Sequence, residues 1–213
     1  MNEDLNQHYS DKEERLNVIT HALGLLLSGI GLPFLIVKSF TFEGFWRPVS
    51  LVIYGLSLII LYAASTFYHA AKDPRLRRKL NIFDHAAIYV LIAGTYTPFT
   101  ILALEGSLGW MIFGLTWTFA LIGIVLKLFY TGRFDKLSTA LYLLMGWQIM
   151  FVINPLMERF TTEGLQLLFA GGVFYTIGAV LYSIKKLPYN HAIFHVFVVL
   201  GSACHFFSVF CFL

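Results

Sequence analysis

Seven apolar stretches, each long enough to cross a bilayer as a helix, restrict this chain to very few folds. A helix rises 1.5 Å per residue, so about 20 apolar residues cover a hydrocarbon core of about 30 Å. Runs of that kind fall at roughly 17–37, 49–71, 81–104, 108–129, 137–157, 164–184 and 189–213. Water is absent at that depth, so backbone groups must pair within each segment, and runs of this length do so as helices. Composition agrees. Of 213 residues, 58% are hydrophobic and 13% charged, against about 25% charged in a soluble domain. The expected fold is an all-α integral membrane protein, a seven-transmembrane helix bundle in which short connections pair sequence neighbours. No linker or low-complexity stretch divides residues 1–213, so one domain is expected behind a short segment, 1–16.

Charge sets the expected orientation. Residues 1–14 carry Glu3, Asp4, Asp11, Glu13 and Glu14 against Lys12 alone, unlike the basic start of a secretory signal. The first apolar run is therefore expected to be a retained span. One set of alternate connections holds Lys12, Arg15, Lys72, Arg75, Arg77, Arg78, Lys79, Lys127, Arg133, Lys136, Lys185 and Lys186; the other holds Lys38, Arg47 and Arg159. The positive-inside rule places the N-terminus in the cytoplasm and the C-terminus outside. That topology is opposite to a G-protein-coupled receptor, and the seventh run has no lysine for a Schiff base. Trp46, Trp110 and Tyr189 mark span ends, and Gly24 with Ser28 and Gly171 with Gly172 permit close helix approach.

Ionisable groups at membrane depth are costly and mark function. Asp84 is the acidic residue inside a predicted span, and every histidine but His8 lies in one. With alternating span direction, His21, His69, Asp84, His85, His191 and His195 share one level near the cytoplasmic ends, with His21 and Asp84 each about a turn deep. His205 stands about 20 Å further along the seventh span. His191 and His195, four apart, face one way about 6 Å apart along the axis. Two imidazoles so spaced can grip one metal, and His69 would complete a three-histidine set. Three protein ligands and an open position define catalytic zinc.

The stretch H-A-I-F-H contains no glutamate, so it lacks the general base of a zincin protease. Asp84 could supply that role, hydrogen-bond the water, or serve as fourth ligand of a structural zinc. Ser65, four residues before His69, faces the same way; it could assist a substrate oxygen or bond its own backbone. Glu14, Asn17 and His21 form a stripe on the first helix, either a capping turn or support for the metal ligands. The bland reading of His21 and His205 is an interhelical hydrogen-bonding strut. His85 lies about 100° around the helix from Asp84 and is read as packing.

The ordered set Glu14-x-x-Asn17-x-x-Thr20-His21, Ser65-x-x-x-His69, Asp84 and His191-x-x-x-His195 resembles the progestin and adiponectin receptor family, specifically its bacterial hemolysin III branch. The resemblance covers essentially the whole chain. It implies zinc held by His69, His191 and His195, with Ser65 and Asp84 beside the metal, and a kinship with alkaline ceramidases, membrane hydrolases of lipid amides. Hormone recognition by eukaryotic relatives is not carried over. The expected function is that of a zinc-dependent hydrolase-like protein of lipid amide or ester bonds, acting in homeostasis of a bacterial inner membrane. Its partner is a membrane lipid rather than nucleic acid. The alternative is a sensor of membrane state with structural zinc; a pore-forming hemolysin ranks last, because a toxin should have a soluble phase.

Overall fold

The computed structural model describes residues 9–41, 43–104, 106–131 and 135–213. The expectations resting on Glu3, Asp4, His8, Arg133 and the side chain of Lys136 lie outside what it describes. Among the described residues there are no strands, and seven helices are long and apolar enough to cross a membrane. In chain order they are α1 (Asp11–Ser39), α2 (Trp46–Ala70), α3 (Pro74–Pro98, continued by a π turn, Phe99–Leu104) and α4 (Gly106–Tyr130). The fifth span is broken into α5 (Asp135–Trp147), a 3-10 stretch (Gln148–Val152) and α6 (Ile153–Arg159); α7 (Thr162–Ser183) and α8 (Asn190–Phe212) complete the bundle. Neighbours in sequence pack together, and α8 closes back onto α1.

Two helices, α1 and α3, begin well before their apolar runs do, at Asp11 and Pro74. Ser10 caps α1 by accepting from the Glu13 amide at 3.3 Å, and Asp73 caps α3 by accepting from the Leu76 amide at 2.8 Å, with Pro74 at the first helical position. His21 and Asp84 are consequently each ten residues past their helix starts, nearly three turns rather than one. Capping chemistry carried the helices beyond their apolar runs, and the polar slab survives because both ends were extended alike.

The breaks have local causes. Pro155 withholds an amide from the ladder and crowds the preceding turn, and the α-helix gives way to 3-10 geometry over Gln148–Val152. The freed groups are taken up by α3: the Ile149 amide donates to Tyr96 Oη at 2.8 Å, and Tyr96 Oη donates to the Gly146 carbonyl at 2.8 Å. Irregular backbone at membrane depth requires such internal partners. Tyr96→Phe, which keeps the ring and removes both bonds, is expected to cost about 1–3 kcal/mol. Thermal unfolding in detergent should register it as a lower Tm, and an unchanged Tm would show that the staple carries no stability.

The three cations assigned to the second side have one use in common. Lys38 donates to the Phe210 carbonyl, Arg47 to the Leu213 carbonyl and Arg159 to the Leu104 carbonyl. Each satisfies a carbonyl at a helix end, where cations also meet the negative pole of the dipole. Gly171 lies against the His205 ring of α8, so close that a Cβ there would collide with it; this is the close approach its spacing suggested.

Candidate metal centre

Four helix segments meet at the end of the bundle where α1 and α8 begin. The Asn190 side chain donates to the Tyr182 carbonyl at 2.9 Å, Tyr189 takes a left-handed φ of 57°, and the α7–α8 connection thereby turns sharply enough to start α8 one residue before His191. Arg77, near the start of α3, donates to the Tyr68 carbonyl at 3.2 Å and the Ala71 carbonyl at 3.4 Å, holding the end of α2 beside it. His69 is thus fixed at the last turn of α2, facing α8.

His69, His191 and His195 are all buried, and one ligand nitrogen from each lies within 4.8 Å of the other two. Their outer nitrogens are held by protein. His69 Nδ1–H donates to Glu14 Oε2 at 2.7 Å, and the other Glu14 oxygen pairs with Arg77. His195 Nδ1–H donates to the Asn17 carbonyl at 3.3 Å, with Thr20 Oγ1 also 3.3 Å away. His191 Nδ1 shares a 2.7 Å hydrogen bond with the Tyr9 hydroxyl. Burial pushes the Tyr9 phenol far above its ordinary pKa, so this partner is a neutral hydroxyl.

A carboxylate and a carbonyl can only accept here, so Nδ1 of His69 and of His195 carries the proton, and each Nε2 presents a lone pair. His69 Nε2 and His191 Nε2 stand 3.2 Å apart. Two ligand nitrogens about 2.0–2.1 Å from a tetrahedral ion would be about 3.3 Å apart. A proton could reconcile one such pair; with His191 Nδ1–H donating to the Tyr9 hydroxyl, which can accept, all three inward lone pairs are available to a cation. The residues fit a metal ion, and carboxylate–histidine pairing of this kind is how metal ligands are oriented. Glu14→Gln is expected to weaken metal binding by about 10- to 100-fold, read by competition with a chelator; unchanged affinity would deny the carboxylate that role.

The remaining predicted residues are placed as follows. Asp84 is buried and neighbours Ser65, His69 and His85, but lies outside the group of convergent ligand atoms. Ser65 Oγ is buried and makes no bond to its own helix, and the Asp84 carboxyl is the polar group it faces. The stripe on α1 is more than a capping turn: Glu14 and the Asn17 backbone hold two of the imidazoles, while His21 is stacked on His195 with ring centroids 3.4 Å apart. His21 is no hydrogen-bonding strut, since neither ring nitrogen has a partner. His205 is one, donating from Nε2 to the Leu168 carbonyl at 3.0 Å.

His191 and His195 open onto a cavity of about 180 Å³ that extends to His205 and is lined mainly by apolar side chains such as Leu61, Ile88, Leu91, Ile92 and Val198. Asp84 and His85 both line it. Their 100° separation does not divide them, because the cavity is broad enough to meet adjacent faces of α3. Tyr9, Thr20 and Arg77 were not anticipated as supports. Tyr9 sits ahead of the first helix and Arg77 within a basic cluster, and neither carries a local signal of contact with a histidine.

A seven-helix membrane protein with a buried three-histidine cluster able to hold a metal ion is the class defined by this fold and site. The family model described as haemolysin-III related matches residues 9–206. Over 198 residues the chain is 46% identical to Hemolysin-3 of Bacillus cereus, covering 93% of this chain and 90% of that one. It is 45% identical over 201 residues to the Hemolysin-3 homolog of Bacillus subtilis (strain 168), covering 94% of each. Similarity extends to the human monocyte to macrophage differentiation factor, 30% identical over 203 residues, 92% of this chain and 83% of that protein. The chain belongs to the haemolysin-III-related family, which is the progestin and adiponectin receptor family, and is a multi-pass protein of a bacterial membrane.

Proposed function

We propose that this protein is a zinc-dependent hydrolase of lipid amide or ester bonds, acting in homeostasis of the bacterial plasma membrane with its metal site toward the cytoplasm. The observation that carries this reading is the convergence of three outwardly anchored imidazoles, two of which, His191 and His195, line the end of a largely apolar cavity inside the bundle. His69, His191 and His195 would hold the ion. When bound with one position open, zinc supplies Lewis acidity and a water that ionises near pH 7.

The protein's own residues do the rest. The apolar lining takes an acyl chain and keeps bulk water from the reacting carbonyl. Asp84 accepts the proton of the attacking water and returns it to the leaving amine or alcohol. The Ser65 hydroxyl, beside Asp84, donates to the oxygen on which negative charge develops. Glu14, Asn17 and Tyr9 keep the ligand rings in register throughout.

A second reading has an observation of its own. The Glu14–Arg77 pair and the three histidines tie α1, α2, α3 and α8 at one end, so a bound metal would also staple those helices, as a non-enzymatic sensor of membrane state requires. Incubating purified zinc-loaded protein with short-chain ceramides and acyl esters separates the two. Released fatty acid supports the hydrolase; full metal content with no release from any of them supports the sensor.

A further inference from the structure

The cavity has a second polar pole that the proposed hydrolysis does not use. His205 lines it at the end away from the metal cluster. The ring is more than nine-tenths buried. Its Nε2 faces the Leu168 carbonyl at 3.0 Å, and a carbonyl can only accept, so Nε2 carries the proton. Nδ1 is then a bare acceptor, and it is buried without a partner. The ring cannot readily swing to find one, because Gly171 packs directly against its face and the Tyr175 ring meets its edge at a centroid distance of 5.3 Å.

A buried acceptor with no donor is costly, and the cost is greater in a medium without water. Near His205 the bundle also places a hydroxyl chain, in which Tyr62 Oη donates to Ser202 Oγ at 2.7 Å and Tyr175 Oη lies 2.8 Å from the same oxygen. Those hydroxyls satisfy one another and leave Nδ1 out. The group that completes it must arrive as a donor from the cavity.

Position specifies that donor further. His205 follows His195 by ten residues and His191 by fourteen, so it stands about 15–21 Å along the axis from the metal cluster. A single leaflet contributes about half of a 30 Å hydrocarbon core, so a fully extended acyl chain somewhat longer than that depth, with its carbonyl end at the histidines, reaches His205 with its distal half. We propose that the cavity selects acyl chains bearing a hydroxyl on their distal half, with His205 Nδ1 accepting from that hydroxyl. The inference rests on the acyl-chain reading of the cavity given above and names its ligand more narrowly.

The test is binding of three acids of equal chain length to the full, zinc-loaded protein in nanodiscs, each displacing fluorescent parinaric acid. Relative to stearic and 2-hydroxystearic acids, 12-hydroxystearic acid is expected to bind about 3- to 10-fold tighter, the worth of one net hydrogen bond. His205→Leu should erase that preference while stearic acid still binds. Equal affinity for all three would overturn the inference, showing that an ordered water satisfies Nδ1, and would leave the acyl-chain reading standing. A preference that persists in His205→Leu would overturn it as well. Failure of every acid to bind would overturn both readings together. The wild-type comparison decides alone should the variant not fold.

Discussion

His69→Ala protein is expected to purify without its metal, and His191→Ala likewise, when zinc per chain is measured by atomic emission against a wild type expected to hold about one. The size of the effect follows from the ligand count. Loss of an outer support costs about 10- to 100-fold in affinity, and removing one of three direct ligands must exceed that: His69→Ala leaves the i and i+4 pair on α8, and His191→Ala leaves His69 and His195. His69→Ala should nevertheless fold. Glu14, deprived of the imidazole, keeps Arg77 as its ion-pair partner, so no carboxylate is stranded in the bundle. Zinc content unchanged in both variants would mean that these rings hold no ion, and the proposed chemistry would lose its centre.

Asp84→Asn is expected to keep its metal and lose turnover of whichever short-chain lipid proves to be hydrolysed, by about 10²- to 10⁴-fold. The substitution preserves shape and burial and removes the ability to take up a proton. Metal should stay because Asp84 stands outside the convergent ligand atoms. The two readouts test separate statements. Turnover that survives would remove Asp84 as the base; metal lost along with turnover would make it a ligand, as in the structural-zinc alternative. Its closeness to Ser65 and His69 across α2 and α3 is what would let a single proton acceptor serve a carbonyl bound between them under the proposed function.

Much of the site was legible in the chain because its signals are local. Two histidines four apart declare a shared helical face without reference to any other residue, and alternation of spans puts helix ends from distant segments at a common depth. That reasoning located His69, Asp84, His191 and His195 at one level. It failed where the third coordinate, rotation of one helix against its neighbour, decides contact. Tyr9 bonds His191 across 182 positions of sequence, and nothing near Tyr9 announces it. His21, which the spacing left open between a strut and a support of the metal ligands, is neither bonded as a strut nor bonded to a ligand: packing turned its ring face-on to His195 and left both nitrogens unbonded. The distance of His21 and Asp84 from their helix starts was underestimated for a simpler reason, since the caps at Ser10 and Asp73 start their helices outside the apolar runs.

By itself the sequence determined seven spanning helices and the level at which their ionisable groups gather. Both follow from hydrophobic length and from the 3.6-residue period, which are properties of single segments. Only the tertiary structure decided that three imidazoles point at one another, that Glu14, Asn17 and Tyr9 hold them from behind, and that an apolar cavity joins them to His205. Those facts depend on which helices touch and how each is turned about its axis. Close packing among all seven sets that rotation, and no one segment contains it.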